Sequence, residues 1–256
     1  MTSLVFLHGV GGGHHAWDAQ LRFFAARGYG AHAWDQPGYG ESAMVVPYDL
    51  EQVSGSLARL IAHLDDGPVV LVGHSMGGFV AQETYARHTA LVKGLALCFT
   101  SPAFGGSGGE FARQFIDARI GPLDRGKTMA EIAAELIPTM GSNSRHAERI
   151  MAGVPPETYR KAVKLLTTFD RRENLKDIAV PTLLVAGSDD KVAPASVMER
   201  MAQKIPAPST CCSRAAATSD RWTGPRRSTP RCSPSSRAAG CERRAAHLPS
   251  AVLATH

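Results

Sequence analysis

Long apolar runs are missing from this 256-residue chain. No stretch approaches the roughly 18 consecutive apolar residues of a membrane span, and Met1, Thr2 and Ser3 lack the charged region of a secretory signal, so a cytoplasmic protein with no membrane role is expected. Cysteine is nearly absent before residue 207: Cys98 stands alone in the apolar run LALCF, and Cys211, Cys212, Cys232 and Cys241 all lie beyond. That excludes a disulfide framework for the main body and makes Cys98 a small core residue in a reduced compartment. Charge imbalance is missing too. Residues 1–206 hold 20 Lys+Arg against 21 Asp+Glu, and the net +5 belongs to the tail, with 8 Arg against 2 acids. Those arginines belong to no recognised nucleic-acid-binding motif, so no nucleic-acid partner is expected.

What is present is an alternation. Short β-branched runs ending in glycine, LVFLHG (4–9), GAHAWD (30–35), PVVLVGHS (68–75), LVKGLALCFTS (91–101) and VPTLLVAGSDD (180–190), predict five strands. Residues 17–27, 50–64 and 79–87 carry apolar side chains at helical spacing between them. The pattern predicts an α/β fold, a mostly parallel sheet flanked by helices. Residues 102–175 break the rhythm with four helical segments, near 110–119, 128–137, 143–152 and 156–169, and read as an inserted helical cap. The core is then residues 1–101 and 176–206. From 207 to 256 Ser, Arg, Pro, Ala and Cys dominate and large apolar residues nearly vanish, which predicts an irregular, disordered tail without a further strand.

The chemistry-bearing signal is GHSMGG (73–78), directly after the strand PVVLV and directly before the helix FVAQETYAR. A strand–turn–helix elbow of this kind holds a serine in a strained backbone conformation and projects its hydroxyl above the sheet; Gly73 and Gly77 are the small neighbours it requires. Ser75 is thus the candidate nucleophile. The N–H of Met76, at the start of the following helix, is one candidate oxyanion donor. The loop HGVGGG (8–13) after the first strand lets the backbone approach a ligand, so the N–H of Val10 is the second, with His8, Gly9 and His74 as pocket walls. That loop lacks both a dinucleotide frame and a P-loop lysine. GSDDKVAP (187–194) puts acids at the carboxyl end of the fifth strand; Asp190 is the preferred orienting carboxylate and Asp189 its alternative.

Taken in order, HGVGGG, WDQPGYGES (34–42), GHSMGG and GSDDKVAP resemble the α/β-hydrolase superfamily, and within it the esterase and 3-oxoadipate enol-lactonase-like branch. The resemblance covers roughly residues 3–206. It implies a Ser–Asp–His triad in that chain order, an acyl-enzyme, no cofactor and no metal, a small ester, lactone or enol-lactone as substrate, and a monomer or homodimer. A serine at the elbow, where aspartate would stand, argues against the dehalogenases and epoxide hydrolases of the fold.

The triad histidine implied by the resemblance should follow Asp190 on a Gly-His loop after one more strand, and this stretch holds no histidine. A serine without its general base is a poor nucleophile. Reading residues 208–235 back through GC-rich codons into the neighbouring frame allows AEYVLLPGGGHIGPVDGPEAFNAAVLTFL, a strand, a Gly-His loop and an amphipathic helix, with the histidine codon spanning Ala217 and Thr218. The tail is accordingly read as a frameshift product. If it is genuine, His247 and His256 are the only histidines after Asp190. Two rivals accompany the ester-cleaving reading: a carbon–carbon bond hydrolase using the same triad, and a non-catalytic relic of the fold. Loss of the last strand and helix would also expose an apolar sheet edge and predicts low solubility.

Overall fold

The computed structural model describes residues 1–105, 109–140, 144–187, 190, 193–206 and 208–213. Its centre is one parallel sheet in the order β2-β1-β3-β4-β5-β6. The strands are β1 (Ser3–Leu7), β2 (Gly30–Trp34), β3 (Val69–His74), β4 (Val92–Cys98), β5 (Thr182–Gly187) and β6 (Ser209–Ser213). Strand composition explains the layering. Val5, Leu7, Val69 and Leu71 face one apolar layer while Leu4, Phe6, Val70 and Val72 face the other, so alternate residues of each central strand are apolar on both sides. Each such side chain, fully removed from water, stabilises the fold by about 1.5–3 kcal/mol.

Helix α1 (Asp18–Ala25) covers one face through Phe24, which with Trp17 packs around Phe6. Helices α2 (Leu50–Leu64), α3 (Met76–Arg87) and α8 (Ala195–Ala202) contribute Val53, Leu57, Val80, Tyr85, Met198 and Met201 to the opposite layer. Asp49 starts α2 by accepting the Gln52 N–H at 2.8 Å. Cys98 is buried in the first of these layers, as a core residue.

Between β4 and β5 stand the four helices of the insertion: α4 (Gly109–Asp124), α5 (Met129–Thr139), α6 (Arg145–Ala152) and α7 (Pro156–Leu166). Their apolar faces form a cluster of their own around Ile132, Met151, Tyr159 and Val163, which joins the core through Tyr39, Met76 and Phe79. The stacked rings of Phe79 and Phe169, 4.1 Å apart, are one such join.

One feature departs from the sequence reading. Regular structure was expected to end before residue 207, yet Ser209–Ser213 adds a sixth strand, pairing parallel with β5 from Leu183↔Ser209 to Gly187↔Ser213. Strand pairing is a backbone interaction, and the N–H and C=O groups along the open edge of β5 accept a polar segment as readily as an apolar one. The edge of β5 is therefore covered, and β6 is the edge strand on that side of the sheet. His247, His256 and Asp189 lie outside the described residues.

Candidate active site

The strand order reverses between β1 and β3, and the carboxyl ends of the strands at such a switch point are where open α/β sheets bind ligands. Ser75 sits there, after β3, with φ 52° and ψ −117°, a strained conformation for a residue with a side chain. Its backbone is pinned from three directions: Ser75 N–H donates to Cys98 O at 2.9 Å, while Ser75 O accepts from Gly78 N–H at 2.8 Å and Thr100 Oγ1 at 2.9 Å. The flanking glycines are steric necessities. A Cβ on Gly73 would lie 2.5 Å from Gly77 O, and one on Gly77 would lie 2.1 Å from Leu7 O.

The loop after β1 packs directly on this turn. Added to Gly9, a Cβ would stand 3.3 Å from Ser75 Cβ and 3.1 Å from His74 Nδ1, so glycine permits the close approach. Gly12 N–H donates to Gly9 O at 2.9 Å and closes the loop into a turn that carries Val10. Met76 opens α3, where the first N–H groups have no partner inside the helix. Val10 and Ser75 face one cavity together with His8, Gly9 and His74.

His8 is locked rather than available. Its Nε2 accepts the Gln36 N–H at 3.1 Å, and its Nδ1 donates to Gly9 O at 2.8 Å, which assigns a neutral ring with the proton on Nδ1. Gln36 Nε2 donates to His8 O at 2.7 Å, and the Tyr39 ring meets the imidazole edge-on at 4.5 Å. His74 packs near Trp17 and Phe99. Farther along the same loop, Asp35 takes the His14 N–H at 2.7 Å on Oδ1 and His14 Nδ1 at 2.6 Å on Oδ2. Sequence reasoning did not single out this clamp, although Asp35 lies inside the motif WDQPGYGES.

Asp190 follows β5 and is 5% exposed. Its Oδ1 accepts the Ala193 N–H at 2.9 Å, and Ala193 lines the cavity. No hydrogen bond joins the Ser75 hydroxyl to a histidine among the described residues.

The cavity holds about 790 Å³ between the sheet and the insertion. From residues 102–175, Phe104, Phe111, Phe115, Leu136 and Met140 line it with apolar side chains. Ile116 packs against the insertion's own apolar cluster. Among the described residues no group of three or more His, Cys, Asp or Glu is arranged to hold a metal ion, and no helix is long and apolar enough to cross a membrane.

Residues 4–218 match the alpha/beta hydrolase family. The chain belongs to that family. A non-heme haloperoxidase of Rhodococcus erythropolis is 30% identical over 212 residues, spanning 75% of this chain and 76% of that one. A pimeloyl-acyl-carrier protein methyl ester esterase of Chromobacterium violaceum is 31% identical over 225 residues, spanning 79% and 82%. Among solved structures, a hydrolase from Pseudomonas aeruginosa superposes with a TM-score of 0.74 at 26% identity, covering 86% of this chain and 84% of that one. This α/β hydrolase thus shares its fold with enzymes of several specificities.

Proposed function

We propose that this α/β hydrolase is built to cleave a small carboxylic ester or lactone through an acyl-enzyme on Ser75. The observation that carries the reading is the Ser75 backbone, held at φ 52° by Gly73, Gly77 and the end of β4, with its side chain bordering an apolar cavity. In this reading Ser75 Oγ adds to the substrate carbonyl carbon, and the N–H groups of Val10 and Met76 receive the negative charge on the carbonyl oxygen. The proton given up by Ser75 Oγ ends on the departing alkoxide as the ester C–O bond breaks; a water then adds to the acyl carbon and returns a proton to Ser75 Oγ, releasing the acid. Asp190 is the carboxylate that would orient a base, and the intact Gly9 contact and His8–Gln36 lock keep the donor loop against the nucleophile. The related methyl ester esterase is in keeping with ester chemistry.

A specific observation favours a second reading: no described histidine is hydrogen-bonded to the Ser75 hydroxyl, as a non-catalytic relic would have it. Labelling by a fluorophosphonate, with Ser75→Ala as control, separates the two. Ser75-dependent labelling and hydrolysis of p-nitrophenyl acetate are expected from the esterase. A folded protein that neither labels nor hydrolyses the ester is the relic. Turnover of a vinylogous diketone in place of the ester would move the reading to carbon–carbon bond cleavage.

A further inference from the structure

The chain after β2 holds the loop after β1 at three points. Asp35 takes His14, Gln36 takes His8, and Tyr39 takes Val10. The first two bonds fix the ends of the donor loop. The third reaches its middle, where the Tyr39 hydroxyl donates to Val10 O at 2.8 Å across 29 positions of sequence.

That bond completes a bracket around one residue. On the near side of Val10, Gly9 O accepts from His8 Nδ1 at 2.8 Å and from Gly12 N–H at 2.9 Å. A trans peptide unit is planar, with its C=O and N–H pointing opposite ways, so donors gathered on Gly9 O aim the Val10 N–H away from themselves. On the far side, Tyr39 is the one partner of Val10 O among the described residues. Gly11, which follows, lacks a Cβ and adds little stiffness of its own.

Tyr39 is well placed to hold a fixed position. It is 1% exposed, and its ring meets the His8 imidazole edge-on at 4.5 Å. The turn that carries it needs Gly38 at φ 83° and Gly40 at φ 51°, and a Cβ on Gly40 would lie 2.2 Å from Asp35 Oδ2. Thr158, on the insertion helix α7, donates to Gly38 O at 2.8 Å. Burial first, then the neighbouring phenols of Tyr48 and Tyr159, push the Tyr39 hydroxyl well above its ordinary range, so it keeps its proton and donates. Val10 and Ser75 border the cavity and Tyr39 does not, which leaves Val10 as the route by which this hydroxyl acts on the cavity.

We propose that Tyr39 is a positioning residue for the oxyanion donor: by holding Val10 O, its hydroxyl fixes the Val10 N–H in the direction of the carbonyl oxygen that gains charge beside Ser75. The inference rests on the ester-cleaving reading of Ser75 and adds to it a residue outside the cavity. A reacting group misplaced by about 1 Å can cost about 100-fold in rate, so one buried hydroxyl is enough to matter.

The test uses the full chain labelled with 15N-valine, the Val10 amide being assigned by its loss in Val10→Ala. Its backbone order parameter should be about 0.85 in the unsubstituted chain and fall below about 0.6 in Tyr39→Phe, which keeps the ring, while Val72 and Val80 of the core stay unchanged. Circular dichroism reports the fold. Should Tyr39→Phe fail to fold, Tyr39→p-aminophenylalanine, which weakens the donor without removing it, is measured instead and should give a smaller fall. A Val10 amide as ordered as in the unsubstituted chain overturns the inference in either variant. With p-nitrophenyl acetate, kcat should fall by about 10- to 100-fold while KM changes less than about twofold, since the interaction lost is one made in the transition state; an unchanged kcat, or a change confined to KM, also overturns it. Fluorophosphonate labelling of the unsubstituted chain is scored in parallel: labelling with an undisturbed Val10 amide refutes this inference alone, whereas a loosened Val10 amide in a chain that neither labels nor hydrolyses the ester refutes the hydrolytic reading alone.

Discussion

Glu83 and Arg171 form a two-pronged ion pair, with Arg171 Nε 2.7 Å from Glu83 Oε2 and a terminal guanidinium nitrogen 2.6 Å from Oε1. Glu83 lies on α3, the helix that follows Ser75, and Arg171 lies where the chain returns from the helical insertion, so the pair ties the two together. Arg87, one turn along α3, adds a third donor at 2.5 Å.

This pair predicts a pH-dependent stability. Burial alone would raise the Glu83 carboxyl, but the hydrogen bonds and charges of Arg171 and Arg87 outweigh it and hold the group below its ordinary range. A carboxyl depressed in the folded state contributes stability that is present above its unfolded pKa and lost as pH falls through the folded value. Glu83→Gln should cost about 2–4 kcal/mol near neutral pH and flatten the acid limb of the stability curve. Urea unfolding at several pH values checks both; an unchanged acid limb in Glu83→Gln would contradict the assignment.

The elbow predicts an intolerance of a single methyl group. Gly77→Ala places a Cβ against Leu7 O, a backbone atom that cannot turn aside, and should destabilise the chain by more than about 3 kcal/mol. Gly67→Ala is the informative contrast, because its Cβ meets nothing within 4 Å while its φ of 70° remains unfavourable for alanine. Its cost should stay near 1 kcal/mol, about the strain of one left-handed residue. Thermal melts of the two variants rank them.

The clamp between Asp35 and His14 predicts a positioning role for a residue remote from Ser75 in the chain. Asp35→Ala removes both acceptors that hold His14, and with them the anchor of the donor loop's far end. Stability should fall by about 1–3 kcal/mol. Fluorophosphonate labelling of Ser75 should slow at a temperature where circular dichroism shows the variant still folded, a split that general unfolding would not produce.

The histidine missing after Asp190 predicts a result at the level of the gene. Nucleotide sequencing across codons 200–256 should reveal a frame change near codon 208, and a chain rebuilt in the neighbouring frame should gain hydrolytic rate by about 10³-fold or more through its restored base. Intact-protein mass that confirms the present frame to residue 256 would refute this, and would leave His247 and His256 as the only later histidines.

The sheet was legible because its causes are local. Runs such as LVFL and VVLV are apolar at every position, as a strand covered on both faces requires; β2, β3, β4 and β5 fall inside the expected segments, and β1 begins one residue before its own, at Ser3. The elbow was legible for the same reason: the backbone strain at Ser75 needs small neighbours two residues away on either side, so the demand is written within a pentapeptide. Asp190 could be nominated from its place after a strand, although its burial and its bond to Ala193 belong to the folded loop.

Other features depend on groups far apart in sequence, and no local pattern announces them. His8 is held in one tautomer by the Gln36 amide 28 residues away, and Glu83 is charged and buried because Arg171, 88 residues on, meets it. Strand β6 exists because β5 offers an unpaired edge, a backbone demand that leaves no mark on the composition of STCCS. The single sign of charge that the described residues bring to the cavity is likewise invisible in a composition balanced over residues 1–206. Sequence alone determined the first five strands and the strained turn, since both follow from neighbouring residues; the tertiary structure alone decided the sixth strand and which side chains face the cavity, because both depend on segments that the chain brings together only on folding.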